Sequence, residues 1–149
     1  MKQPIVIIGI GEMGGVFARG FLKAGYPVYP LSRQDDMQRL ARQIEQPALV
    51  LLAVAEKDFS QAISQVPANW HNALALLQNE LLPRDWQQHD IDNPTVISVW
   101  FEKKPGQDFK VLVPSPVFGP LAEIIDEGLG SLGIPVQQLD NEQDLLFEL

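Results

Sequence analysis

A β-branched run that passes straight into a glycine turn near the start of the chain limits the folds open to it. Ile5-Val6-Ile7-Ile8 is a continuous apolar stretch of the kind buried on both faces of a parallel sheet. Gly9-Ile10-Gly11-Glu12-Met13-Gly14 follows, and then Val16, Phe17, Phe21 and Leu22 recur at helical spacing. In a strand–turn–helix of this type each glycine has a separate task. Gly9 permits the tight turn, Gly11 lets the backbone approach a pyrophosphate, and Gly14 lets the helix pack closely on the strand. The helix start then offers free N–H groups and its positive dipole end to the phosphates, with Ile10, Glu12 and Met13 completing the turn. Glycines at this spacing are weak evidence alone, but a strand before and a helix after supply the context that the reading needs. A glycine turn that serves packing only is the competing reading.

The alternation continues downstream. Gly25 ends the first helix, since glycine takes the left-handed conformation of a C-terminal cap. Tyr26 to Leu31 reads as a second strand, although Pro27 and Pro30 restrict its hydrogen bonding. Met37 to Glu45 forms a helix with Met37, Leu40, Ala41 and Ile44 on one face, and Ala48 to Val54 is the clearest buried strand. This β-α-β-α-β order predicts an α/β protein: a Rossmann-like doubly wound, mostly parallel sheet with helices on both faces. Further on, Phe59, Ala62, Ile63 and Val66 predict a helix ending before Pro67, and Ala73 to Gln78 is strand or helix. Thr95 to Phe101, Phe109 to Val113 and Ile134 to Leu139 read as strands. Leu121, Ile124, Ile125 and Leu129 share a helical face, and Glu142 to Leu149 begins another helix. Without a repeat, linker or low-complexity tract, the 149 residues read as one domain.

Composition narrows the partners. Eleven Lys+Arg against 19 Asp+Glu give a formal charge of -8, which disfavours nucleic acid and anionic membrane surfaces. A dinucleotide escapes that objection, because backbone dipoles rather than side-chain charge hold its phosphates. The absence of cysteine excludes disulfides, thiolate metal sites and a thiol nucleophile. No apolar run approaches the roughly 20 residues of a membrane span, and the first residues do not read as a signal peptide, so the expected location is cytoplasmic. His71 and His89 stand apart from any cluster with metal-ligand spacing, so no metal is expected. Trp70, Trp86 and Trp100 read as core or rim aromatics. Ser115 lies between prolines with no neighbouring base, and Glu123, Asp126 and Glu127 read as a solvated helix face.

The choice of dinucleotide depends on the end of the second strand. There Leu31-Ser32-Arg33 presents a planar guanidinium and a hydroxyl suited to a ribose 2′-phosphate, which favours NADP. Asp35 reaching back to the ribose hydroxyls would favour NAD instead.

Together with these motifs, Ala73-Leu74-Ala75-Leu76-Leu77-Gln78-Asn79 and the Lys110 to Pro120 segment make the sequence resemble the amino-terminal, cofactor-binding half of the ketopantoate reductase family. The first is similar to that family's strand ending in Gln-Asn-Gly, and the second to its hairpin closing with Ile-Gly. Leu121 to Leu149 then follows the family's order of helix, strand, Asp-Asn and helix. The resemblance implies pyrophosphate binding at the glycine turn, the 2′-phosphate on Ser32 and Arg33, and Asn79 beside nicotinamide and substrate as both a cofactor-binding and a catalytic residue. It implies hydride transfer between NADPH and a small 2-oxo acid once a second, helical domain completes the cleft; a homodimer would cover the open cofactor face.

Three departures stand out. Ala55 occupies the place of a family lysine, Glu80 replaces the glycine after the asparagine, and Glu148 in Leu146-Phe147-Glu148-Leu149 falls where the catalytic lysine belongs. These losses predict little 2-oxo acid reduction by this chain alone, with Lys57, Lys103 and Lys104 as the fallback proton donors. Two other readings stay open. One is a non-catalytic dinucleotide sensor or scaffold, which the departures suit. The other is a β-hydroxyacid dehydrogenase-type cofactor domain, whose first turn Gly-Ile-Gly-Glu-Met-Gly also resembles.

Overall fold

Strand by strand, the apolar runs take up the places that their β-branched residues suit. The computed structural model describes residues 2–9, 11–78, 91, 93–99, 101–111 and 113–139. Strand β1 (Ile5–Ile8) leads into helix α1 (Glu12–Lys23), then β2 (Val28–Leu31), α2 (Met37–Gln43), β3 (Leu49–Leu52) and α3 (Glu56–Gln65). A 3₁₀ turn (Ala68–Ala73) delivers the chain to β4 (Leu74–Gln78), so the ambiguous Ala73 to Gln78 stretch is a strand from Leu74 on, with Ala73 closing the turn. Strands β5 (Thr95–Ser98), β6 (Phe101–Glu102), β7 (Lys110–Val111) and β8 (Ser115–Phe118) follow. Helix α4 (Ala122–Gly130) and strand β9 (Val136–Gln138) end the described chain. The proposed helix over Glu142 to Leu149 lies outside the described residues.

Among the described residues seven strands make one sheet, in the order β2-β1-β3-β4-β5-β8-β9. The first five are mutually parallel, β8 runs antiparallel to β5, and β9 is parallel to β8. Pro30, which lacks an N–H, falls on the edge strand, where its missing donor costs no ladder bond on the open side. Alternate residues of each strand feed two separate cores. Val6, Ile8, Val50 and Leu52 meet the 3₁₀ turn, α2 and α3 through Trp70, Ala41 and Ile63. Ile5, Ile7, Leu49 and Leu51 meet α1 and α4 through Phe17, Phe21, Ile125 and Leu129. Helices therefore cover both faces, as the alternation predicts. Trp70 is fully buried and its indole N–H donates to the Ile44 carbonyl at 2.8 Å, which makes it a core residue.

The Lys110 to Pro120 segment corrects the sequence reading. It is not one hairpin: Lys110–Val111 pairs with Phe101–Glu102 in a separate two-stranded ribbon, whereas Ser115–Phe118 joins the main sheet. The ribbon sits on α1, with Phe101 against Phe17 at 6.1 Å between ring centroids and Arg19 over the Phe109 ring. Helices α1 and α4 cross closely at Gly20 and Gly128, where a Cβ on Gly128 would lie 2.6 Å from the Phe21 ring.

Glu127 is also more than a solvated helix residue. It accepts from Lys2 Nζ at 2.9 Å and from the Tyr26 hydroxyl at 3.1 Å, and Lys2 lies 4.4 Å over the Tyr26 ring. The ammonium of Lys2 is the main cause holding the Glu127 carboxyl below its ordinary value, whereas burial is the main cause raising the Tyr26 phenol. A carboxyl lowered by folding stabilises the fold above its unfolded value, ordinarily 4.5, and that contribution disappears as pH falls through the lower folded value. Glu127→Gln is therefore expected to lower stability in urea at pH 7, and its difference from the parent chain should shrink as pH falls below the ordinary carboxyl value, with the two stabilities converging only on the acid side.

Candidate functional site

The direction of winding reverses at β1, which has β2 on one side and β3 on the other. In an open α/β sheet, the crevice beyond the carboxyl ends of the strands at such a reversal is where ligands bind. Gly9 stands at that point. Its N–H donates to the Leu31 carbonyl at 2.9 Å, and the Ala53 N–H donates to the Ile8 carbonyl at 2.8 Å, so the ends of all three strands are tied together. Gly9 has φ +103°, and a Cβ there would run onto the Ala53 carbonyl. Glycine is therefore required both by the backbone conformation and by the space.

The other two glycines differ from it. A Cβ on Gly14 would lie 2.6 Å from the Gly9 carbonyl oxygen and 3.6 Å from Ile7, so this glycine lets α1 press against the turn and strand. At Gly11 the backbone is extended (φ -78°, ψ -169°) and a Cβ would meet nothing within 4 Å among the described residues. The space in front of it is open, and so is the space at Gly15, one helical turn further on. The first helical bond of α1 runs from the Gly15 N–H to the Gly11 carbonyl at 3.0 Å, and no side chain among the described residues caps the helix. The N–H groups of Glu12, Met13 and Gly14 consequently have no intrahelical partner and stand ready for an anion.

Side chains border this cradle on two sides. Met13 is half-buried and packs into the core under α1. The Glu12 carboxylate accepts from Lys103 Nζ at 2.9 Å, and the same ammonium donates to the Lys104 carbonyl at 2.9 Å. Lys103 comes from the chain that follows β6, with only 15% of its side chain exposed. Together with Gly11, Gly15, Val16 and Arg19 this pair lines an open groove of about 580 Å³. Sequence reasoning named Lys103 only as a fallback proton donor. Its place beside the glycine turn depends on a ribbon whose pairing the sequence does not announce. Gly15 was missed, although its spacing of four from Gly11 puts both on one helical face.

On the other side, at the end of β2, the Ser32 N–H and hydroxyl both donate to the Asp35 carboxylate, at 2.7 and 3.1 Å. The Gln34 N–H donates to the Ser32 hydroxyl oxygen at 3.3 Å, so Ser32 and Asp35 build the turn between them. Arg33 projects outward, 84% exposed, and one of its terminal nitrogens meets the Asp58 carboxylate at 2.9 Å. Asp58 lies in the first turn of α3, just beyond Ala55, the residue that precedes that helix. The structure thus brings Gly9, Gly11, Glu12, Met13, Gly14, Ser32 and Arg33 to one end of the sheet, around β1. Ile10, Asn79, Glu80 and Glu148 lie outside the described residues. Among the described residues no group of three His, Asp or Glu side chains is arranged to hold a metal, and no helix is long and apolar enough to cross a membrane.

No family model matches the chain, and no curated protein matches it by sequence. Solved structures do match. Over 93% of its length the chain is similar to 2-dehydropantoate 2-reductase from Methylococcus capsulatus, with 14% identity and a TM-score of 0.62. A PanE/ApbA family ketopantoate reductase from Ralstonia eutropha matches 99% of it, with 15% identity and a TM-score of 0.64. Prephenate dehydrogenase from A. aeolicus, solved with NAD+, matches 100% of it, with 14% identity and a TM-score of 0.63. The fold is Rossmann-like. The chain spans 57%, 59% and 64% of those three proteins, respectively, so it corresponds to between half and two thirds of each.

Proposed function

We propose that this Rossmann-like chain is the NADP(H)-binding domain of an oxidoreductase of the ketopantoate reductase type. The observation that carries the reading is the division of labour among Gly9, Gly11 and Gly14 at the point where the winding reverses. Two of these positions are filled by backbone packing. The third opens onto space beside an uncapped helix start, as a pyrophosphate needs. Gly9 shapes the turn, and Gly11, Glu12, Met13 and Gly14 hold the phosphates through their N–H groups, with Ile10 assigned to the same motif by its place in the sequence. Arg33 takes the adenosine end, on a turn that Ser32 and Asp35 build between them, and Asn79 is the residue that the family resemblance assigns to the nicotinamide. The bound cofactor supplies a hydride for a small 2-oxo acid. The chain's own part is to hold and orient it, with a second domain or a second copy closing the substrate side.

NADP is favoured over NAD by what the two candidate ribose ligands are doing. The Asp35 carboxylate is already engaged by Ser32, whereas Arg33 stands outward with one terminal nitrogen on Asp58 and its other donors without a partner among the described residues. A guanidinium–phosphate contact is available only to the 2′-phosphate. Calorimetric titration is expected to give tighter binding of NADPH than of NADH by about tenfold or more, the size of a charge-assisted hydrogen bond. Arg33→Ala should bring the two affinities close together. Equal affinities in the parent chain would contradict the NADP assignment and transfer the ribose contact to Asp35.

A further inference from the structure

We propose that Asp58 sets how strongly the chain discriminates between phosphorylated and unphosphorylated dinucleotides, by competing with the 2′-phosphate for Arg33. This inference rests on the reading of Arg33 given above and adds a residue to it. Arg33 follows β2 and Asp58 follows β3, and these strands are the two neighbours of β1. Their ion pair, 2.9 Å long, therefore spans the interval between the two strand ends that flank the glycine turn. It ties the guanidinium toward α3, on the rim where the adenosine end of a dinucleotide would lie.

The two partners are not equally free. Arg33 is 84% exposed and Asp58 only 31%, so the carboxylate is the fixed member and the guanidinium the movable one. Asp58 is held in the first turn of α3, where its N–H donates to the Ala55 carbonyl at 2.9 Å and where the helix dipole favours a negative charge. A phosphate arriving at Arg33 has to share the guanidinium with that fixed carboxylate, or draw the arginine away from it. Both routes oppose binding, the first through like-charge repulsion and the second through loss of the ion pair. NADH carries no group that addresses Arg33, so its affinity is insensitive to Asp58. The pair thus leaves Arg33 charge-balanced until a second anion arrives.

The test is titration of the full 149-residue chain with NADPH, NADH and the probe 2′,5′-ADP, in the parent, Asp58→Asn, Arg33→Ala and the double variant. Asp58→Asn keeps the shape of the side chain and removes its charge, and circular dichroism checks that each variant folds. NADPH and 2′,5′-ADP are expected to bind Asp58→Asn about two- to fivefold more tightly, the range of one exposed ion pair. NADH should stay unchanged, and the gain should vanish in the Arg33→Ala background. Unchanged or weaker NADPH binding by Asp58→Asn, with Arg33→Ala still selectively weakening NADPH, would overturn the role of Asp58 while leaving that of Arg33 intact. Equal loss of NADPH and NADH in Asp58→Asn would make it an ordinary structural residue and also overturn the proposal. If Arg33→Ala fails to change the NADPH-to-NADH ratio, the reading of Arg33 itself fails, and the inference about Asp58 fails with it.

Discussion

Gly11→Val is expected to fold as the parent does and to lose dinucleotide binding. The backbone at Gly11 is extended, a conformation that valine adopts readily, and its Cβ would enter open space. The stability cost is confined to a poorer residue at the helix start, about 1 kcal/mol or less. For a chain of this length that lowers the melting temperature by about 2–4 °C. The ligand meets a different situation. The isopropyl group fills the space through which a pyrophosphate reaches the N–H groups of Glu12, Met13 and Gly14. Loss of two charge-assisted hydrogen bonds at about 1.5–3 kcal/mol each weakens binding by about 100-fold or more. Thermal unfolding and NADPH titration of the same preparation separate the two effects. A folded Gly11→Val chain that still binds as the parent does would show that the turn serves packing only.

Gly14→Val is expected to do the reverse, damaging the fold first. Its Cβ would lie 2.6 Å from the Gly9 carbonyl oxygen, and that atom belongs to backbone held at φ +103° by the close approach of Ala53. A rotamer change cannot relieve such a contact; α1 has to lift from β1. Replacing a helical glycine by valine gains a few tenths of a kcal/mol in intrinsic propensity. Overpacking a rigid contact costs about 3 kcal/mol, the upper part of its usual range. The clash dominates, and the melting temperature should fall by about 6–12 °C. A Gly14→Val chain with the parent's melting temperature would mean that the helix does not press on the turn as the structure has it.

What could be read from the sequence was what neighbouring residues decide among themselves. The three glycine roles are read from a strand, a turn and a helix that follow one another directly; the turn at Gly9 and the close packing at Gly14 are seen in the backbone, whereas the ligand-facing role of Gly11 remains part of the proposal. Burial of Ile5–Ile8 and Leu49–Leu52 on both faces followed from their unbroken apolar character. Contacts between distant segments were beyond such reasoning. Lys110–Val111 and Ser115–Phe118 are four residues apart yet belong to different sheets, because β7 finds β6 and β8 finds β5. Arg33 was singled out for its charge and position, but its partner Asp58 is 25 residues away and meets it only because β2 and β3 flank β1. Lys103 and Glu12, 91 residues apart, are brought together in the same way by the ribbon on α1. Glu127 looked like one more solvated carboxylate until Lys2 and Tyr26 reached it from the amino-terminal end of the sheet.

The claim that a phosphorylated dinucleotide lies across the end of β1 is tested most directly by following the backbone amides of the ¹⁵N-labelled chain by NMR during titration with NADPH. The largest shifts are expected at Gly9, Gly11, Met13, Gly14 and Gly15, with a second group at Ser32 and Arg33 that is weaker when NADH replaces NADPH. Amides near Lys2, Tyr26 and Glu127, at the opposite end of the sheet, should stay in place. Saturating NADPH that leaves the Gly9–Gly15 amides unmoved, or that moves only the Tyr26 end, would contradict the account.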